Sequence, residues 1–365
     1  MNLLSLFSGI GAPEKALTNL GIDYNVVKYC EIDKWASKSY SMIHGIPESK
    51  NLGDITKVNT DDIPDADLIF YGFPCQDISL SGKQKGLFNE DGSLTRSGLF
   101  FEALRIIKDK HPKIAIAENV KALTGNKFKN EFQTVLTELN KANYNTYWKV
   151  LNAKDYGIAQ SRERVFIVSI RKDIDNGTFK FPEPIELTTK LKDYLDDECE
   201  IAVAAAMRGR YNEDGTTSQV IEISDREISN AITTVQKDSL VMKYTLSDEA
   251  WKGHLERLKK NKDKGNGFQY MLYNKDSDYI NTLTARYYKD GKEALINQPG
   301  KNPRKLTPRE CFKLMGFTNE DYERASKVCS ATQLYKQAGN SIVVNVLERL
   351  FMEVLKIWST TPTYG

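Results

Sequence analysis

The chain has 365 residues, which at about 150 residues per domain favours two domains. Hydrophobic residues make up 40% and aromatics 10%, enough for a buried core and incompatible with wholesale disorder. The net charge of +2 hides an uneven spread: residues 171–250 carry 10 Lys and Arg against 17 Asp and Glu, and residues 251–310 carry 14 against 7, a basic stretch that suits a polyanion. No uncharged apolar run approaches the roughly 18 residues of a membrane span. The opening segment, Met1 to Gly9, lacks the basic n-region of a signal peptide, so a cytoplasmic protein without a membrane partner is expected. Five cysteines (Cys30, Cys75, Cys199, Cys311, Cys329) form no C-x-x-C pair, and there are only three histidines, so reduced thiols and no metal site are expected.

In chain order, residues 3–7 read as a buried strand, followed by a glycine turn and a helix near 13–19. Residues 25–30 read as a second strand ending in Glu31-Ile32-Asp33, and 34–43 as a helix. Strands at 67–71 and 113–117 alternate with helical patterns at 99–108 and 128–139. Strands separated by helices predict βαβ units and a parallel sheet covered on both faces. Residues 147–151 and 165–170 could close that sheet as an antiparallel pair. Beyond Arg171 the texture changes at the breaker cluster Phe181-Pro182-Glu183-Pro184. A smaller, irregular, mostly β region is expected to about residue 300, with a faint echo between residues 228–234 and 280–285. Helical pattern returns at 308–315 and in a long amphipathic stretch at 341–358. The expected division is therefore 1–172, 173–300 and 301–365, the last segment returning to the first.

Four places carry chemistry. Phe7-Ser8-Gly9-Ile10-Gly11 follows a strand and precedes a helix, which lets a ligand approach the backbone. Glu31 lies 20 positions after Gly11, where it could accept hydrogen bonds from two ribose hydroxyls. Glu14 occupies the third position of G-x-G-x-x-G, so an adenosine-type ligand fits better than a dinucleotide pyrophosphate. Cys75, in Gly72-Phe73-Pro74-Cys75-Gln76, stands at the carboxyl end of a parallel strand, where such sheets place ligands. The Gly- and Lys-containing stretch 79–86 after it suits a mobile lid that touches phosphate. Glu118 reaches the same rim, where apolar surroundings can raise its pKa. Strand alternation places Arg162 and Arg164 on one side. No histidine adjoins these residues, so a Cys-His hydrolase is poorly supported.

Taken in order, Leu6-Phe7-Ser8-Gly9-Ile10-Gly11, Gly72-Phe73-Pro74-Cys75-Gln76, Glu118-Asn119-Val120, Gln160-Ser161-Arg162-Glu163-Arg164-Val165, Arg304-Lys305-Leu306-Thr307-Pro308-Arg309-Glu310-Cys311 and Gln337-Ala338-Gly339-Asn340-Ser341 resemble the motif set of bacterial and phage DNA cytosine-5 methyltransferases. The resemblance covers residues 1–172 and 300–358. Ser8 and Ala12 depart from it where the family often carries glycine or alanine and further glycine.

The resemblance implies an α/β, Rossmann-like methyltransferase fold with a mixed, mostly parallel sheet and a smaller target recognition domain. It implies S-adenosylmethionine as cofactor, S-adenosylhomocysteine as product and no metal. Phe7, Gly9, Gly11, Glu31, Ile32, Asp54, Ile55, Pro74, Asn340 and Ser341 would line the cofactor pocket. Cys75 would attack carbon 6 of cytosine, Glu118 would hold a proton at ring nitrogen 3, Arg164 would contact the base carbonyl, and Arg162 would support the loop or a phosphate. The partner would be duplex DNA with the target base flipped out, touched by Ser81, Lys83 and Lys85 in the lid and by Arg286 and Lys289 in the recognition region. A monomer in the cytoplasm of a bacterial or phage-infected cell is expected, any cognate restriction endonuclease acting separately. The alternatives are an RNA cytosine methyltransferase, disfavoured by the long 173–300 segment, and an inactive DNA-binding subunit, disfavoured by the intact Cys75, Glu118 and Arg164. The recognition sequence is not readable from these residues.

Overall fold

The computed structural model describes residues 1–78, 85–196, 203–211, 217–223, 240–242, 244–265 and 270–360. In chain order its elements are β1 (Asn2–Leu6), α1 (Ala12–Asn19), β2 (Asn25–Cys30), α2 (Lys34–His44), β3 (Leu68–Tyr71), α3 (Phe100–Lys110), β4 (Ile114–Val120), α4 (Lys129–Lys141), β5 (Tyr144–Asn152), β6 (Gln160–Ser161), β7 (Glu163–Arg171), β8 (Val203–Tyr211), β9 (Thr217–Ile223), β10 (Leu240–Met242), α5 (Asp248–Asp263), β11 (Leu272–Tyr273), β12 (Ile280–Asn281), α6 (Tyr287–Asp290), β13 (Leu295–Gln298), β14 (Lys301–Lys305), α7 (Pro308–Lys313), α8 (Asn319–Ser326), α9 (Ala331–Asn340) and α10 (Val344–Thr360). They form two compact units, one of Met1–Gly157, Arg162–Glu186 and Ile342–Gly365, the other of Ile158–Ser161 and Leu187–Ser341.

The first unit is built on a sheet of order β2-β1-β3-β4-β7-β5. Neighbours from β2 to β4 pair in parallel, while β7 runs antiparallel to both β4 and β5. The β5–β7 pair is the antiparallel closure expected from the sequence. Leu3, Leu4, Leu6, Ile69, Ile114 and Ile116 are fully or almost fully buried, as strands covered on both faces require. α3 buries Phe100, Ala103, Leu104, Ile106 and Ile107, five apolar residues at helical spacing. Phe351 of α10 packs edge-on against Phe70 of β3, which is how the amphipathic C-terminal stretch meets the sheet. The register aligns Cys30, Leu6, Tyr71 and Ala117 in one row across four strands. The next residue of each strand therefore reaches a common rim: Glu31, Phe7, Gly72 and Glu118.

The second unit holds short sheets of order β10-β8-β9 and β11-β13-β14, together with the two-stranded pair β12-β6. It also carries α5, a 16-residue helix that the mostly β expectation did not foresee. Buried Arg304 pairs with buried Glu310 at 2.8 Å, and Thr307 and Glu310 form a capping box that starts α7.

The compact units have other boundaries than residues 172 and 300. Residues 173–186 stay with the first unit because Phe179 packs on Tyr147 and the Tyr156 hydroxyl donates to the Pro182 carbonyl at 3.0 Å. Residues 301–341 belong to the second unit, and the chain returns only at Ile342. Residues 228–234, one half of the expected echo, lie wholly outside the described residues.

Candidate active site

At the end of β1 the backbone turns through left-handed conformations, with φ of 53° at Phe7, 55° at Gly9 and 78° at Gly11. Phe7 is a non-glycine residue in this region, a strain typical of ligand sites. The Gly9 amide donates to one Glu31 carboxylate oxygen at 2.8 Å and the Asp33 amide donates to the other at 2.8 Å. Asn51 fixes the same corner: its side chain accepts from the Glu31 amide at 3.0 Å and donates to the Glu31 carbonyl at 2.9 Å. The two glycines serve different ends. A Cβ on Gly9 would have no heavy atom within 4 Å, so this position faces open space. A Cβ on Gly11 would stand 2.2 Å from His44 Nε2, so packing against α2 demands glycine there. Ile32 is 74% exposed, unusual for isoleucine, directly beside Glu31. Hydrogen bonds from Thr56 hold the Asp54 carboxyl below its ordinary range, and the Ile55 side chain belongs to the core.

Two strands over, Gly72-Phe73-Pro74 leaves β3 and presents Cys75 at the start of a tight turn, whose Ile78 amide donates to the Cys75 carbonyl at 3.0 Å. Buried Phe73 stacks on Tyr71 and tilts against Phe100. Buried Asn119 at the end of β4 donates to the Phe73 carbonyl at 3.1 Å, which ties this loop to its neighbouring strand. Glu118 stands beside it, and a Cβ on Gly72 would lie 3.6 Å from its carboxylate. Arg164 on β7 donates to Glu118 with Nε–Oε1 of 3.0 Å. Arg162 is 3% exposed.

The electrostatics bind these four side chains together. Burial raises the Glu118 pKa, opposed by Arg164 and Arg162. Burial also raises the Cys75 thiol, aided by Glu118 and opposed by the two arginines. Burial and the neighbouring Arg164 push Arg162 down to about 9. By contrast Cys30 is pushed up to about 12 by burial and then by Glu31 and Asp54, and its thiol donates to the Gly53 carbonyl at 3.1 Å. Cys30 is thus a packed, inert thiol, whereas Cys75 feels the Glu118 carboxyl and two guanidiniums.

Residues 1–356 match the model of the C-5 cytosine-specific DNA methylases. The chain belongs to that family. Like other members it is a C-5 cytosine-specific DNA methyltransferase, and its curated relatives agree. Type II methyltransferase M1.ScrFI of Lactococcus lactis subsp. cremoris is 38% identical over 97% of this chain and 78% of its own length. Type II methyltransferase M.NlaX of Neisseria lactamica is 37% identical over 95% of this chain and 94% of its own. Among solved structures, the Entamoeba histolytica methyltransferase EhMeth shares the fold at a TM-score of 0.68 and 19% identity, covering 98% of both chains.

Within this methylase the structure gathers Cys75, Glu118, Arg162 and Arg164 in one cluster, and brings Phe7, Gly9, Glu31 and Ile32 to the rim beside it. Asn340 and Ser341 lie in the second unit, at the end of α9 and its cap. Lys85 is exposed, with Asn89 3.4 Å away, while Ser81 and Lys83 fall outside the described residues. Arg286 and Lys289 are exposed on the turn around α6. Sequence reasoning assigned no role to Asn51 or Asn119, because an asparagine that bonds backbone across strands leaves no periodic trace. No group of His, Cys, Asp and Glu among the described residues could hold a metal ion, and no helix there is long and apolar enough to cross a membrane.

Proposed function

We propose that this methylase moves a methyl group from S-adenosylmethionine to carbon 5 of a cytosine flipped out of duplex DNA, through a covalent Cys75 adduct at carbon 6. The observation that carries this reading is the cluster of Cys75, Glu118, Arg162 and Arg164, on the rim shared with the Gly9–Glu31 corner. That corner fits an adenosine: Glu31 is oriented for ribose hydroxyls, Ile32 and Phe7 offer apolar surface to a ring, and Gly9 leaves room beside the backbone. Pro74, Asp54 and the Ile55 backbone complete the assignment within the first unit, with Gly11 setting the path of the turn. When bound, the cofactor supplies an electrophilic methyl group.

Glu118, whose pKa is raised by desolvation, gives a proton to ring nitrogen 3 as the Cys75 sulfur adds to carbon 6. Burial raises the thiol pKa most and an ionised Glu118 adds to it; a neutral Glu118 removes the second contribution, while the two arginines lower the pKa. Arg164, fixed by Glu118, faces the base carbonyl, and Arg162 supports it from the buried side. The nitrogen lone pair now feeds carbon 5, which takes the methyl group. Loss of the carbon 5 proton to a base expels the sulfur, and the nitrogen 3 proton returns to Glu118. Base flipping exposes the ring at a cost of a few kcal/mol. Residues 187–341 act as the target reader, with Arg286 and Lys289 touching DNA, and Ser81, Lys83 and Lys85 are assigned DNA contacts as well. The enzyme works as a monomer in the cytoplasm, and any cognate restriction endonuclease is a separate chain.

Duplex DNA carrying 5-fluorocytosine at the methylated position tests the mechanism, since fluorine cannot leave as the proton does. A gel-stable complex is expected with S-adenosylmethionine and none with Cys75→Ala. Turnover without trapping on a DNA known to be methylated would refute attack at carbon 6.

A further inference from the structure

We propose that Gln160 and Gly339 are positioning residues for sequence recognition, holding from behind the turn of residues 282–289 that exposes Arg286 and Lys289. The inference rests on the reading of that turn as a DNA contact. It deepens that reading by naming what sets the turn in place.

The turn is anchored unlike an ordinary surface loop. β12 leads into it and pairs in parallel with β6, Ile280 opposite Gln160. The Ile280 amide donates to the Ala159 carbonyl at 3.0 Å, and the Thr282 hydroxyl to the Ser161 carbonyl at 2.7 Å. The fully buried Gln160 side chain accepts from the Leu283 amide at 3.0 Å and donates to the Leu314 carbonyl at 2.9 Å. One side chain thus joins the turn to the end of α7. On the other side, a Cβ on Gly339 would stand 2.3 Å from the Thr284 carbonyl carbon and oxygen and 2.4 Å from the Ala285 nitrogen. Glycine is a poor helix residue, and nothing in the α9 backbone requires it. Its place is explained by the turn lying directly on the helix. Within the turn, the buried Tyr287 hydroxyl donates to the Ala294 carbonyl at 2.6 Å and accepts from the Leu306 amide at 2.8 Å. Thr284 donates to Glu293 at 2.6 Å. Gln160, Leu283, Tyr287, Ala294 and Leu306 in these bonds are buried, while Arg286 and Lys289 stay exposed. Base reading needs side chains placed to within about half an ångström, and a buried supporting layer provides that.

The test starts from bisulfite sequencing of a host lacking other cytosine-5 methylation, which gives the methylated site. Purified variants are then assayed on duplexes with that site and with each single-base departure. Gln160→Ala, Gly339→Ala and Tyr287→Phe are expected to lower the ratio of cognate to near-cognate methylation by ten-fold or more. Affinity for S-adenosylhomocysteine should stay within two-fold for Gln160→Ala and Tyr287→Phe. Tyr287→Phe deletes only a hydroxyl and carries the test if Gly339→Ala does not fold. Arg286→Ala separates the two layers. If it leaves the ratio unchanged, the turn is not the reader and the inference falls with that reading. If it lowers the ratio while Gln160→Ala and Tyr287→Phe slow all duplexes equally, the turn reads DNA but the positioning inference is overturned.

Discussion

The proton transfer proposed for ring nitrogen 3 asks two things of its donor: burial, which raises a carboxyl pKa, and a cation close by, which lowers it. Glu118 has both, through its place at the inner end of β4 and the Arg164 contact at 3.0 Å. Glu118→Gln keeps the size but cannot deliver a proton, so kcat should fall by about 10²–10⁴-fold with little change in KM for DNA. A raised KM with unchanged kcat would make Glu118 a positioning residue. Glu14 is fully buried as well. Tyr40 donates to it at 2.8 Å, and burial raises its pKa above the ordinary value. A raised folded-state pKa means that the native chain holds the proton after the unfolded chain has lost it. Stability from Glu14 is therefore complete below its unfolded pKa and drains away as pH rises through the folded one. Glu14→Gln should melt higher than the parent at pH 8, with the gap closing by pH 4; melting curves at matched pH that stay parallel would contradict this. Strand position let the sequence place Glu118 at the carboxyl end of β4. Glu14 stood out only as a break in a glycine pattern, because its surroundings come from Ser5, Tyr24 and Tyr40 on other elements.

The turn between β1 and α1 shows how one element divides its work. Gly9→Ala should cost roughly 1–2 kcal/mol for its left-handed φ and weaken S-adenosylhomocysteine binding, since its Cβ enters open space beside Glu31. Gly11→Ala drives a methyl group into His44 and Tyr40, so about 1–3 kcal/mol of stability should go instead. Thermal melts and calorimetric titration of both variants check the contrast; equal losses of binding would refute it. The sequence placed both glycines correctly at a strand–helix turn but could not tell their neighbours apart. α5 was missed for a different reason. Its apolar residues are few among many lysines, so the 3.6-residue period is faint, although Ser247 accepts from the Ala250 amide as an N-cap and Asp248 and Glu249 fill the first turn.

For the whole molecule, the alternating strands and helices of the first unit were legible because buried parallel strands are uninterrupted apolar runs. The boundaries were not, because the Phe181–Pro184 cluster reads as a linker while its neighbour Phe179 packs on Tyr147. Tyr147 and Asn145 also donate to Asp175, at 2.8 and 2.6 Å. Exchanging residues 187–298 for the equivalent of a relative should therefore give a folded enzyme with a new methylation site. Exchanging 173–300 should also change the site but melt lower, having stripped part of the first unit. Bisulfite sequencing and melting curves report the two outcomes. An unchanged site in both chimeras would move recognition out of the second unit.

The detour of Ile158–Ser161 into the second unit bears on inheritance. Those four residues hold the incoming chain largely by its main chain: two backbone amides, at positions 280 and 283, dock on the Ala159 carbonyl and the Gln160 side chain. Apart from the Thr282 hydroxyl, which donates to the Ser161 carbonyl, such a socket is blind to side chains and closed at 280 and 283 to proline, which has no amide hydrogen to offer. A gene that acquired a foreign recognition segment by recombination would not need matching changes at codons 158–161. New specificity could then arise in a single genetic event, with the docking residues already in place.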